Sequence, residues 1–325
     1  MAVPTRTENL DDFYVTTLNN RNKELTDQIE KSTDFLNLMK SKNAIKFEAG
    51  TAGRYWEIPL SYARNASVKS YGKGDTVNLS DTAFMTAAQF QCKYIIGNVT
   101  RYFTDDEANM GKAQLINWVN AKIDNLKLAI AEELESQLFG DGSGNGGKDL
   151  DGLGNLVDAT PTSARTVGNI AQTTYTWWQN KQKTASGAAS VYLLSDMRRL
   201  ANDVSKGQTL GRPDIIVTTS IVDELFEDEV LEQKQIVNQS SGDPMMLSNR
   251  FKGIPIVWSD QCPSGYLYML NSRNISLNVD PGMWLQPSGW KEPVNSRDRS
   301  MQVMCKLNMV SNRRSSLGVL TGIAA

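Results

Sequence analysis

The sequence predicts an α+β fold, and three patterns in it support that prediction. Apolar residues alternate with polar ones in residues 47–100 and again in 299–325, as they do in half-buried β-strands. Between them, residues 105–139 carry apolar side chains every three or four positions, which is the spacing of a helix face. Residues 170–290 mix short apolar segments with helical ones, which is typical of a separate α/β layer.

Composition excludes several classes of enzyme and binding protein. The 325 residues include no histidine, which excludes Ser-His and Cys-His catalytic pairs and histidine-ligated zinc. A net charge of -2, from 34 basic and 36 acidic residues, argues against tight neutralisation of nucleic-acid phosphates. No apolar run reaches the roughly 18–20 residues that cross a bilayer, and the polar start, Met1 to Leu10, predicts no secretory signal. We therefore predict no catalytic residues, no metal, no cofactor and no membrane segment.

The cysteines predict buried thiols in a reducing compartment. Cys92, Cys262 and Cys305 are odd in number and widely separated, which argues against a disulfide framework. No pair has the spacing of a metal site, and no histidine is present to activate a thiol.

Residues 1–46 are predicted to form an N-terminal arm. The stretch Leu10–Lys42 is mostly polar, with a thin apolar stripe at helical spacing that includes Leu18, Leu25 and Met39. Because a helix this polar is poorly stable alone, the arm lies either against its own subunit or on a neighbouring one.

Residues 47–100 are predicted to form one long antiparallel hairpin. On the first strand the alternating apolar residues are Trp56, Ile58, Leu60 and Tyr62. On the second strand they are Phe90, Cys92, Tyr94 and Ile96. The intervening Tyr71–Asp75 supplies glycine and aspartate for a turn. Because a two-stranded ribbon cannot bury both of its faces, a sheet or another chain must cover it.

Residues 105–139 are predicted to form a single helix of about 35 residues, about 52 Å long. Thr104 and Glu107 have the spacing of a capping box at its start, and Gly140 ends it. The apolar face consists of Leu115, Val119, Ile123, Leu126, Ile130, Leu134 and Leu138. Helices in globular domains average about 11–12 residues, so this element is expected to be elongated.

Residues 141–152 are rich in glycine and match three ligand-binding patterns incompletely. The dinucleotide pattern needs a preceding strand and a following helix, whereas a helix precedes here and none is predicted to follow. The phosphate-loop pattern lacks the Ser or Thr that must follow Lys148. A calcium loop needs Glu at its twelfth position, where this chain has Gly152. We predict a flexible surface loop, with a nucleotide- or calcium-dependent enzyme as the alternative that would use it.

Residues 170–290 are predicted to alternate between strands and helices. The predicted strands are Val191–Leu194, Asp214–Val217, one within Arg250–Trp258, and Gly265–Asn271. The predicted helices are Ser195–Lys206, capped by Ser195, and Ser220–Val230. The carboxylates in Asp223–Glu229 are interpreted as an exposed helix face. Residues 299–325 then return as a strand, with Met301, Val303 and Cys305 on one face.

This order of elements resembles that of the major capsid proteins of tailed bacteriophages, which have the Hong Kong 97-like fold. The resemblance spans about residues 50–325 and rests on short segments in a fixed order rather than on one diagnostic motif. Those segments are Leu138–Gly142, Pro213–Thr218, Phe251–Ile256, Tyr266–Asn271 and Asn312–Arg314.

The resemblance implies four parts. Residues 1–46 are the N-terminal arm, and residues 47–100 are the extended β-hairpin loop, which in that family lies over a neighbouring subunit. Residues 101–185 and 290–325 form the peripheral domain with its long spine helix. Residues 186–289 form the α/β axial domain, which meets its copies around five- and six-fold axes.

The implied function is that of a major capsid protein without enzymatic activity. It would self-assemble, as hexamers and pentamers, into the icosahedral shell that encloses a double-stranded DNA genome without sequence-specific binding. The implied partners are a scaffolding protein and a portal protein, with a cement protein left open. Assembly would take place in the host bacterial cytoplasm and the product would be the virion. A bacterial nanocompartment shell, which has the same fold and holds enzyme cargo, is the alternative.

The hairpin is also the predicted contact between subunits. The hairpin and the long helix are too long for one compact subunit to bury all of their apolar surface. Aromatic and aliphatic anchors dominate interface energies. The predicted contact residues are Trp56, Ile58, Leu60, Tyr62, Lys69, Tyr71 and Lys73. The two lysines are also candidate donors for the Lys–Asn isopeptide bond that joins subunits in some family members, with ordinary solvated lysines as the alternative.

Overall fold

The structure is a computed structural model that describes residues 33–50, 53–65, 67–76, 82–108, 118–206, 212–232, 249–293 and 297–324. The chain divides into two compact units. The larger unit contains Ser32–Tyr94, Leu134–Trp284 and Lys306–Ala325, and the smaller one contains Ile95–Glu133 and Leu285–Cys305. The predicted domain boundaries at residues 46, 100, 185 and 289 stay predictions.

The described residues form the following elements. The helices are α1 (Asp34–Ser41), α2 (Phe103–Ala108), α3 (Trp118–Phe139), α4 (Gly144–Gly147), α5 (Leu153–Leu156), α6 (Ala189–Ser205) and α7 (Ser220–Glu232). The first strands are β1 (Ile45–Phe47), β2 (Tyr55–Ser61), β3 (Met85–Gln91), β4 (Lys93–Arg101), β5 (Thr166–Val167), β6 (Ile170–Ala171) and β7 (Lys181–Thr184). The remaining strands are β8 (Ile215–Thr218), β9 (Arg250–Phe251), β10 (Ile254–Trp258), β11 (Leu267–Leu270), β12 (Ile275–Val279), β13 (Gln286–Pro287), β14 (Arg299–Ser311) and β15 (Gly318–Thr321).

A six-stranded sheet in the order β7-β15-β11-β8-β10-β9 forms the core of the larger unit. Strand β15 runs parallel to β7 and antiparallel to β11, and β8 runs parallel to β10. Helix α6 buries Leu193, Met197 and Val204 in the same apolar cluster as Ile216 and Met269 of the sheet. The predicted α/β layer is therefore confirmed, and its chain extends to β15 near the C-terminus.

The predicted strand Val191–Leu194 is wrong, because these residues lie inside α6. Val191 is 64% exposed whereas Leu193 is 2% exposed, and burial continues at helical spacing to Val204. The apolar run therefore combines both faces of a helix. Ser195, the predicted cap, lies within α6 and donates its hydroxyl to the carbonyl of Tyr192.

Among the carboxylates of α7 whose burial is described, Glu224, Glu227 and Asp228 are exposed, whereas Asp223 is half-buried and Glu229 is buried. Glu229 is 3% exposed, and its Oε2 accepts a hydrogen bond from the backbone N–H of Leu194 at 2.9 Å. The interpretation of Asp223–Glu229 as a uniformly exposed face is therefore wrong at this position, where the carboxylate joins α7 to α6.

A second sheet contains β1, β12 and β14 in that order, and β14 also pairs with β13 and β4. Strand β12 runs antiparallel to β14, from Ile275 opposite Ser311 to Val279 opposite Leu307. Met301, Val303 and Cys305 are all buried on one face of β14, as the alternation predicts. In the smaller unit, Gly97 of β4 faces α3 so closely that a Cβ atom there would overlap the side chain of Leu126.

The predicted long helix is confirmed over Trp118–Phe139, whereas residues 109–117 lie outside the described residues. A single helix from 105 to 139 therefore stays a prediction. The predicted cap at Thr104 is wrong, because α2 begins at Phe103 and the Phe103 N–H donates to Oδ1 of Asp298 at 3.1 Å. Residues of the predicted arm helix up to 32 lie outside the described residues. The described end of that helix is α1.

The glycine-rich segment after α3 is a surface loop only in its first part. Leu150 and Leu153 are fully buried, and a Cβ atom on Gly152 would overlap backbone carbonyl oxygens at the end of α3. The prediction of a flexible surface loop is therefore wrong for residues 150–152. The segment follows a helix rather than a strand, and the helix that comes directly after it, α5, has only four residues.

The part of the chain that the structure describes contains neither a metal-binding cluster nor a membrane-spanning helix. Within it, no three Cys, Asp or Glu side chains are grouped so that they could hold a metal ion. None of the helices described here has both the length and the apolar character needed to cross a membrane.

Candidate assembly surface

The hairpin β2–β3 pairs over seven residues, from Tyr55 opposite Gln91 to Ser61 opposite Met85. Its inner face consists of Trp56, Leu60, Ala88 and Phe90, each at most 6% exposed. The indole Nε1 of Trp56 donates to the carbonyl of Glu48 at 3.0 Å. The hairpin therefore packs against its own chain along this face.

The predicted hairpin ends earlier than expected, because the strand breaks at Cys92. The backbone N–H of Cys92 donates to Arg54, and β4 begins at Lys93 and pairs with β14. In β4 the buried residues are Ile95 and Val99, whereas Tyr94 and Ile96 are 49% and 57% exposed. The predicted alternation from Phe90 to Ile96 is therefore wrong beyond Cys92, where the pattern shifts by one residue.

The short hairpin β5–β6 supports the inner face of β3. Its turn residue Gly168 has φ +59°, and its carbonyl accepts a hydrogen bond from Gln89 N–H at 3.0 Å. A Cβ atom on Gly168 would lie 3.0 Å from the Phe90 ring and 3.1 Å from Ala88. Both the left-handed backbone and the close packing therefore require glycine here.

The segment that supports the hairpin is held by a fully buried arginine. The Arg314 guanidinium donates to the Leu156 carbonyl at 2.7 Å, to Gln172 Oε1 at 3.1 Å, and to the Trp178 carbonyl and Asn180 Oδ1 at 3.3 Å. Burial lowers the pKa of Arg314 to about 10, so the side chain stays charged at neutral pH. The arginine thus links four points of residues 156–180 to the chain after β14.

A buried ion pair lies at the root of the hairpin. Lys306 Nζ and Asp280 Oδ2 are 2.9 Å apart, and the lysine side chain is 5% exposed. This hydrogen bond lowers the pKa of Asp280 and raises the pKa of Lys306. Burial raises the pKa of the neighbouring Cys92 thiol, which disfavours the reactive thiolate.

The seven predicted contact residues separate into buried and exposed groups. Trp56 and Leu60 are covered by their own chain, and Ile58 is half-buried. Tyr62 is 36% exposed, and its ring stacks on Trp177 with centroids 5.4 Å apart. The exposed members are Tyr62, Lys69, Tyr71 and Lys73, and their role as contacts between subunits stays a prediction.

Two of the three tip residues, Lys69 and Tyr71, interact with each other, and Tyr71 also bonds to nearby backbone. Lys69 Nζ lies 5.7 Å from the centre of the Tyr71 ring, within the range of a cation–π interaction. The Tyr71 hydroxyl donates to the Ser67 carbonyl at 2.9 Å, and Lys73 is exposed. The role of either lysine as an isopeptide donor stays a prediction.

An exposed, largely aromatic patch lies next to the hairpin, and of its members only Tyr62 was predicted from the sequence as a contact residue. It consists of Tyr62, Phe84, Met85, Tyr175 and Trp177, of which Phe84 and Met85 are 50% and 61% exposed. The patch borders a groove of about 330 Å³ whose lining includes no charged side chain. The sequence did contain a signal for this patch, because residues Tyr175–Trp178 include three aromatic side chains. Of these, Trp178 is buried and Trp177 is half-buried.

No protein-family model matches the chain, and no curated protein matches it by sequence. Solved structures do match it. A chain of the cyanophage A-1(L) capsid has a TM-score of 0.67 at 17% identity, over 96% of this chain and 99% of that one. The capsid of Myoviridae phage XM1 has a TM-score of 0.63 at 12% identity, over 93% and 96%. The holo-SrpI encapsulin complex of Synechococcus elongatus PCC 7942 has a TM-score of 0.62 at 14% identity, over 99% and 96%.

These likenesses define the class of fold. The chain has the fold shared by tailed-phage capsid proteins and an encapsulin, so the predicted Hong Kong 97-like fold is confirmed. Identities of 17% and below show the fold alone.

Proposed function

We propose that the chain is the major capsid protein of a tailed phage. It self-assembles as hexamers and pentamers into the icosahedral shell that encloses the double-stranded DNA genome, without reading its sequence and without catalysing a reaction. The observation that carries this proposal is the likeness to the cyanophage capsid chain, which extends over 96% of this chain and 99% of the other. The shared fold therefore covers nearly the whole subunit rather than one domain.

The exposed aromatic patch supports assembly from many copies. Phe84, Met85 and Tyr175 are each between 46% and 61% exposed in the single chain. Burying one large apolar side chain is worth roughly 1.5–3 kcal/mol, so a neighbour that covers the patch gains a substantial part of a stable interface. Residues 69–73 extend the exposed surface along the hairpin tip.

Deletion of Ser67–Asp75 tests the role of the hairpin tip in assembly. The deleted residues lie outside the pairing of β2 with β3, so the subunit is expected to fold. We expect circular dichroism like that of the wild type but no closed particles in electron micrographs. The paired variant Lys69→Ala with Lys73→Ala keeps the tip backbone and separates the contribution of these two side chains from that of the tip as a whole. Normal particles from the deletion variant would contradict the proposal.

A nanocompartment shell is the second candidate, and the full-length likeness to the encapsulin favours it. The two candidates differ in what the particle encloses. Particles purified from their native host and treated with nuclease contain protected genomic DNA if the chain is a phage capsid protein. They contain a co-purifying enzyme and no protected genome if it is a nanocompartment.

The capsid proposal includes partners and a location. We expect a scaffolding protein to direct assembly in the host bacterial cytoplasm, a portal protein at one vertex and, as an open alternative, a cement protein on the finished virion. Co-expression with a scaffolding protein from the same genome should raise the yield of closed particles. A ladder of bands in boiled, reduced gels, lost in the Lys69→Ala, Lys73→Ala variant, would reveal isopeptide bonds.

A further inference from the structure

The first turn of α1 is capped by a residue about 100 positions away. The side chain of Thr33, at the N-cap position, accepts no hydrogen bond from the backbone N–H groups of the first turn. Instead Oε1 of Glu135 accepts a hydrogen bond from Phe35 N–H at 2.8 Å, and Oε2 accepts one from Leu36 N–H at 2.8 Å. The opening N–H groups of a helix have no partner within the helix, so this α3 carboxylate satisfies two of them.

Glu135 is enclosed by side chains that exclude water. Its exposure is 0%, and Ser259, which follows β10, donates its hydroxyl to Oε1 at 3.1 Å. The rings of Phe35 and Phe139 lie 5.2 Å apart, and Met39 is also fully buried. A buried carboxylate is costly unless donors surround it, and three donors, two of them on α1, converge on this one.

We propose that Glu135 is a positioning residue, which holds the first turn of α1 and so fixes the point at which residues 1–33 join the subunit. The proposal concerns the single chain and does not depend on the proposed function. Helix α1 has eight residues, and isolated helices shorter than about 12–15 residues are marginal in water. Its attachment therefore relies on the burial of Phe35 and Met39 and on the hydrogen bonds to Glu135.

The charges around the attachment point predict how its strength changes with pH. The charged groups at this point are Glu135 on α3, Asp34 on α1 and Asp260 after β10. Burial raises the pKa of Glu135 against the opposing effect of its hydrogen bonds, and Asp34 raises it further. Burial and Asp260 likewise raise the pKa of Asp34.

A carboxyl whose pKa is higher in the attached state binds protons preferentially in that state. The attachment of α1 is therefore strongest below the ordinary pKa of these groups. It weakens as the pH rises through their raised values. A lower pH is thus expected to strengthen the attachment of α1 rather than weaken it.

Hydrogen–deuterium exchange of the full-length chain tests the proposal through the peptide that covers residues 34–42. Glu135→Ala removes both acceptors, so we expect α1 amides to exchange about tenfold faster or more, while α6 stays at the wild-type rate. Glu135→Gln keeps one acceptor and carries no charge at any pH, so we expect the α1 exchange rate of this variant to depend less on pH than that of the wild type. Glu133→Gln, an exposed carboxyl on the same helix, is the matched control and should behave like the wild type.

Two results would overturn the proposal. One is an α1 exchange rate in Glu135→Ala within about twofold of wild type, or raised equally in α6, since loss of a cap acts locally. The other is a Glu135→Gln variant that keeps the full pH dependence of the wild type after correction for intrinsic exchange. If the alanine variant does not fold, the pH profile of the glutamine variant decides.

Discussion

Replacing Arg314 by alanine should be among the most destabilising single changes in the larger unit. The side chain is 0% exposed and donates to Leu156 and Trp178 carbonyls and to the side chains of Gln172 and Asn180. An unsatisfied buried acceptor costs about 1–3 kcal/mol. Two orphaned carbonyls together with the empty volume therefore predict a loss of about 4 kcal/mol, equivalent to roughly a thousandfold in the folding equilibrium.

Urea denaturation followed by tryptophan fluorescence measures this loss, because the Trp178 ring lies 6.0 Å from the Arg314 guanidinium. Arg313→Ala is the matched control, since the same side chain is exposed one position earlier. The control should change the free energy of unfolding by no more than about 0.5 kcal/mol. A loss below about 1 kcal/mol for Arg314→Ala, or equal losses for the two variants, would refute the reasoning.

Three further variants or measurements probe other parts of the chain. Tyr62→Ala should change the free energy of unfolding by less than about 1 kcal/mol yet reduce closed particles in sedimentation, and unchanged particle yield would contradict this. Gly97→Ala places a methyl group against Leu126 and should cost about 1–3 kcal/mol in denaturant unfolding, so a wild-type midpoint would count against the described packing. Iodoacetamide should label half-exposed Cys92 before Cys262, whose pKa burial raises to about 12, and equal labelling rates in peptide mass spectra would argue otherwise.

The spacing of apolar residues correctly predicted the strands and helices that have one buried face and one exposed face. In β2, Trp56 and Leu60 face the protein and Glu57 faces solvent, so alternation is visible in the sequence. In α3, Ile130, Leu134 and Leu138 recur at helical spacing and are all buried. Such patterns can be recognised without knowing which part of the chain packs against the buried face.

The spacing of apolar residues gave a wrong prediction in two situations. In one, the alternation shifted by one residue within the predicted hairpin, and in the other, one continuous apolar run covered both the buried and the exposed face of a helix. A single residue between β3 and β4, Cys92, reverses the facing of every later side chain in β4, and no turn signal precedes it. The run Val191–Leu194 is continuous in the sequence, but only the burial of Leu193 and Leu194 against the sheet identifies it as helix. Tertiary contacts decide both cases.

Two buried polar groups that join distant parts of the chain could not be predicted from local sequence, for a different reason. Arg314 binds carbonyls about 158 positions earlier, and Glu135 binds N–H groups about 100 positions earlier. Neither spacing leaves a pattern in a single sequence, because the partners are backbone atoms that any residue type carries. Only the folded chain reveals that an ordinary arginine and an ordinary glutamate are buried.

The position of β15 has a consequence for how the subunit is made. This strand, at Gly318–Thr321, lies between β7 and β11, so the six-stranded sheet is interrupted until it arrives. The main sheet can therefore close only after the chain has been synthesised through Thr321. A fragment that stops before β15 leaves β7 and β11 without the strand that joins them, so it cannot complete this sheet.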